Sequence, residues 1–146
     1  MVEEFWEKGY KFDGTLETPV GNDLFSPGSG EVLTGEKKED YHTFVAKGLF
    51  ASKRAHPDIQ PTIAVLSRRV QEPIEGDWKK LYRLMKYVNR TKDMDLTLSR
   101  DDLHVVQWFV DVAYAVHPDF KSHTGWVMTF GKGAVQSGSI KQKLVM

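Results

Sequence analysis

The chain has 146 residues, 40% hydrophobic and 12% aromatic, enough to bury a core and too apolar for a disordered tail. It has no cysteine, which excludes disulfides and thiolate zinc sites and fits a reducing compartment. Net charge is zero but segregated: counting Lys+Arg against Asp+Glu, residues 1–52 carry −5, 53–100 +5, 101–120 −4 and 121–146 +4. A basic block beside an acidic one suits a polyanion held near a carboxylate, and equally suits segments that neutralise each other in the fold.

The acidic start, MVEEFWEKGY, is not a secretory signal, and no run reaches the ~18 apolar residues of a membrane helix. The expectation is a soluble intracellular protein, cytoplasmic or nuclear, with no membrane contact.

Residues 1–37 are rich in turn formers and predict an extended arm with apolar anchors at Leu24, Phe25, Val32 and Leu33. A helical segment follows over 38–98. Glu39 and Asp40 open its first helix, where the dipole favours negative charge, and Tyr41, Phe44, Val45, Gly48, Leu49 and Ser52 share one face. HPDIQPTIAVLSRRV predicts a second helix with Ile59, Ile63, Leu66 and Val70 as its buried stripe. Asp77 caps a third, DWKKLYRLMKYVNRT, whose apolar face is Trp78, Leu81, Leu84, Met85 and Val88. The aromatics Phe44, Phe50, Trp78 and Tyr82 sit at core spacing.

From Met94 the period changes. MDLTLS alternates like a half-buried strand, and HVVQWFVDVAYAV is nearly continuous apolar sequence, as in a strand covered on both faces. TGWVMTFG and AVQSGSIKQK follow, joined by the glycine-rich GKG of a hairpin. Three helices and then an antiparallel meander predict an α+β fold, its sheet lying in 99–146.

Asp111 is the one carboxylate in that apolar run. A buried carboxylate is costly unless paired or bound to metal, so Asp111 is either a metal ligand or a strand-end ion-pair partner. Lys79, Arg83, Lys86 and Arg90 recur at i, i+4, i+7 and i+11 on a second face of the third helix. Such a row can follow a phosphate backbone, or be only a solvated face. The tail cations Lys132, Lys141 and Lys143 carry less information. His117 and His123 flank Asp119 and offer a further, weaker metal set.

YHTFVAKGLFASKRAHPDIQPTIAVLSRRV, DWKKLYRLMKYV and WFVDVAYAVHPDFKSHTGWVMTFGKGAVQSGSIKQK occur in that order, and TPVGNDLF precedes them. Together they resemble the Pol polyprotein of copia-type LTR retrotransposons, from the end of the reverse transcriptase into the ribonuclease H domain. The resemblance implies a thumb-like three-helix segment over 38–98 and a partial ribonuclease H-like sheet, its first three strands, over 99–146. It implies that Asp111 matches the first catalytic, Mg²⁺-binding carboxylate. It also implies that Lys79, Arg83, Lys86 and Arg90 contact an RNA–DNA hybrid or DNA duplex through the phosphate backbone.

The paired aspartates of the family's polymerase and its remaining ribonuclease H carboxylates have no counterpart in these residues. The expectation is therefore a catalytically incomplete piece that binds no Mg²⁺ tightly and has the rest of a Pol polyprotein as a possible partner. A non-enzymatic nucleic-acid-binding module and an inert translated remnant are the alternatives.

Overall fold

The first helix, α1 (Val2–Glu7), lies where the sequence predicts an extended arm. In this computed structural model, which describes residues 1–102 and 104–143, Val2 and Phe5 are one helical turn apart and both buried. Phe5 is the centre of an aromatic cluster, with the rings of Phe44, Tyr10, Trp78, Tyr82 and Phe12 at 4.9–6.2 Å. Lys47 pairs with Glu4 and ties α1 to the next helix.

That helix, α2 (Gly35–Arg54), starts four residues before Glu39. Asp40 is consequently inside the helix and buried, where its carboxylate accepts the Tyr10 hydroxyl at 2.8 Å and pairs with Lys8 at 3.1 Å. Burial and this contact push the Tyr10 phenol up to about 12. Tyr41, Phe44, Val45, Gly48 and Ser52 face inward as expected, but Leu49 and Phe50 are 44% and 68% exposed. At 100° per residue Phe50 has turned off the buried face, which corrects its assignment to the core. Gly48 marks a close approach: a Cβ there would overlap the Ile63 side chain.

The expected second helix is three shorter pieces: a 3-10 turn at Pro57–Ile59, α3 (Gln60–Leu66) and another 3-10 turn at Ser67–Arg69. Pro57 and Pro61 lack the N–H groups a continuous helix would use. Ile59, Ile63 and Leu66 are fully buried, while Val70 is only partly so. Helix α4 (Glu75–Thr91) begins at the Ile74 cap. Asp77 is not that cap; it sits one turn in, where its carboxylate accepts the Ile74 N–H at 3.0 Å and the Arg69 Nε–H at 3.2 Å. Trp78, Leu81, Leu84, Met85 and Val88 complete the core. The connecting stretch is pinned by Leu24 and Leu33, by a bridge from Val32 to Ile74, and by buried Lys80, whose ammonium donates to the Leu24 and Ser26 carbonyls at 3.2 and 2.8 Å.

Five strands follow among the described residues. β1 (Ser99–Arg100) pairs with β4 (Gly131–Lys132) in a small antiparallel sheet, so most of the strand expected over 94–99 is irregular. A second antiparallel sheet has the order β2 (Gln107–Ala113), β3 (His123–Thr129), β5 (Gln136–Lys141). β2 is therefore an edge strand with residues 107–112 exposed, not the doubly covered strand its apolar run implied. Apolar continuity shows that a strand favours cover, whereas among the described residues none packs over this one. Trp126 lies directly over Gly138, where a Cβ would overlap the indole. The Gln60 amide and the Lys53 ammonium donate to the Ser137 carbonyl at 3.1 and 3.3 Å, which sets β5 beside α2 and α3. The chain is thus mixed helix and sheet, helices first.

Candidate functional site

Asp111 stands on β2 opposite Gly125, with Ser139 next in the row. Its carboxylate is exposed and its Oδ1 accepts the neighbouring Val112 N–H at 2.9 Å. An exposed carboxylate has no desolvation cost to offset, so the premise that burial forces a partner on Asp111 does not hold. Among the described residues no group of three His, Asp or Glu side chains could hold a metal ion. Asp111 alone does not fit a Mg²⁺ site, which takes several oxygen ligands in near-octahedral geometry.

Helical spacing does set Lys79, Arg83, Lys86 and Arg90 along one side of α4, but the stripe is half occupied. Arg83 Nη2 donates to Thr18 Oγ1 at 3.0 Å, and its Nε is buried without a partner among the described residues. Arg90 pairs with Glu17 at 3.2 Å, and the Tyr82 hydroxyl donates to the Lys11 carbonyl at 2.7 Å. The segment around residues 11–18 therefore runs along the stripe. Lys79 and Lys86 make no hydrogen bond or ion pair among the described residues and are the two cations left open.

The turn between β2 and β3 holds Ala115 at φ 50° and Phe120 at φ 56°, in the left-handed region that non-glycine residues seldom adopt. Local bonds fix it: Ala115 N–H to Ser122 Oγ at 3.2 Å, His117 N–H to the Lys121 carbonyl at 3.2 Å, and Phe120 N–H to the His117 carbonyl at 2.8 Å. The result places His117 against His123, Nε2 to Nδ1 at 3.0 Å, and His123 Nε2 lies 2.7 Å from Ser139 Oγ. Both imidazoles are buried under the Phe25 ring, whose centroid is 4.9 and 5.1 Å from theirs.

Burial first, then the Lys141 charge, draws the His117 imidazole down to about 4; burial and Arg68 lower that of His123. The pair is neutral at pH 7. Asp119, the third member of the weaker metal set, is directed elsewhere, to Lys141 at 2.6 Å and Lys121 at 3.6 Å. The histidine nitrogens engage each other and Ser139, a relay that joins β3, β5 and the turn.

Sequence patterns did not single out Arg68 or Lys121. They line a cleft of about 580 Å³ together with Lys53, Lys141 and Lys143. Those cations come from separate segments, so no spacing rule connects them.

No protein-family model matches the chain, and no solved structure matches it. The chain is similar to the retrovirus-related Pol polyprotein from transposon TNT 1-94 of Nicotiana tabacum, with 28% identity over 151 aligned positions. The alignment takes in 99% of the chain and 11% of that polyprotein's length. Similarity along essentially the whole chain supports a segment of a retrotransposon Pol polyprotein.

Proposed function

We propose that the chain is a piece of a copia-type Pol polyprotein running from the end of the reverse transcriptase into the start of ribonuclease H, catalytically incomplete by itself. The observation that carries this is the end-to-end similarity to a transposon Pol polyprotein. Helices preceding an antiparallel sheet agree with the order of the two regions. Asp111 is then a vestige of the first ribonuclease H carboxylate. Two-metal phosphodiester cleavage needs several carboxylates to fix both ions, and Asp111 belongs to no group of three or more His, Asp or Glu side chains that could hold a metal among the described residues.

What such a chain retains is nucleic-acid contact through the phosphate backbone of an RNA–DNA hybrid or DNA duplex. Unpaired Lys79 and Lys86 favour this binding-module role. Incubation of labelled RNA–DNA hybrid with the chain and Mg²⁺ is expected to give no cleavage. Cleavage that disappears in Asp111→Asn would overturn the incompleteness.

A further inference from the structure

We propose that the cleft between the α3 end and β5, rather than the α4 stripe, is the main phosphate-binding surface. It rests on the reading that the chain contacts nucleic acid. Lys53 on α2, Arg68 after α3, Lys121 before β3, Lys141 on β5 and Lys143 beyond it line one cleft of about 580 Å³, with Asp119 as the carboxylate among them.

Asp119 offsets only part of this charge, holding Lys141 at 2.6 Å and Lys121 at 3.6 Å. Lys53 is turned to the Ser137 carbonyl at 3.3 Å and has no acidic partner among the described residues. Arg68 and Lys143 are exposed and make no hydrogen bond or ion pair there. The positive field is felt nearby, since Arg68 and Lys141 both disfavour a proton on His117. On α4, by contrast, Thr18 and Glu17 already occupy Arg83 and Arg90. Five cations spread around an open cleft suit a ligand with repeated negative charges, and each phosphate engaged releases counterions. Phosphodiester backbone is that ligand.

The test is fluorescence anisotropy of a labelled RNA–DNA hybrid against the full chain across a salt series. Changing Lys53, Arg68 and Lys143 together to Ala is expected to weaken binding about tenfold or more and to flatten the log–log salt slope by about 2–3. The pair Lys79→Ala and Lys86→Ala is expected to weaken binding as well, but by about threefold and with a smaller change of slope than the triple variant. Asp119→Asn, which frees Lys141 and Lys121, is expected to tighten binding, an effect that loss of fold would not produce. Wild-type binding with an unchanged slope in the triple variant, or a slope carried by Lys79 and Lys86, would overturn the cleft and leave the nucleic-acid reading standing. Absence of wild-type binding at about 50 mM salt would instead remove that reading itself.

Discussion

The helical part and the three-stranded sheet contain similar kinds of residues and treat them in opposite ways. Phe5, Tyr41, Ile59, Ile63, Leu66 and Leu81 are completely buried, because α1, α2, α3 and α4 each turn an apolar face to a common centre. In β2, Trp108, Phe109 and Val110 are 55%, 61% and 64% exposed. The difference is one of partners. Four helices cover one another, whereas three strands in one layer have two faces and only partial cover from α3 and the Phe25 region. Stability in this chain should therefore reside in its helices.

The sharpest way to break that contrast is Leu81→Ala. It should cost about 3–4 kcal/mol, transfer energy plus the cavity left in a packed centre, read as a fall in the chemical-denaturation midpoint. A loss below about 1 kcal/mol would mean the helical centre is loosely packed.

Next comes the histidine pair, buried where the β2–β3 turn meets β3. The folded chain holds His117 near 4, whereas an unfolded one takes up that proton around 6.5. The contribution is therefore complete above pH 6.5 and is lost as pH falls toward 4. At ~1.4 kcal/mol per pH unit of separation, reduced for solvent screening, this amounts to about 1–2 kcal/mol. Thermal melts between pH 7 and 4.5 should show it, and His117→Gln should flatten the dependence. Removal of the α4 first-turn carboxylate, Asp77→Ala, should cost about 1 kcal/mol by the same denaturation measurement, since the Ile74 N–H loses its acceptor. Smallest of all is Val110→Thr on β2, expected within ~0.5 kcal/mol of wild type; a larger loss would show that the strand is covered in solution.

The core face of α4 was legible because Trp78, Leu81, Leu84, Met85 and Val88 keep strict three-four spacing. The interior faces of α2 and α3 were legible for the same reason. α1 was not, because VEEFWE is too short for a period to develop and is followed by turn formers. Asp40 reads as a helix opener because its partners, Tyr10 and Lys8, lie some thirty residues earlier.

The largest gap was Asp111. A charge inside an apolar run signals burial only if the run itself is buried, and strand order decides that. His117, Asp119 and His123 stand out as a group, yet their spacing alone cannot show that the imidazoles bond to each other while Asp119 turns to Lys141. The grouping of the cleft cations is illegible for a related reason: separated segments bring them together, and local pattern carries no trace of that convergence.

Lys80 has a last consequence. Its charge rests on two backbone carbonyls and, among the described residues, on no carboxylate. Added electrolyte screens exposed pairs such as Arg90–Glu17 but barely reaches a shielded ammonium held by peptide dipoles. The front of the chain thus has two fasteners of different kinds: brine loosens the clasp at Glu17 and leaves the rivet at residues 24–26 in place.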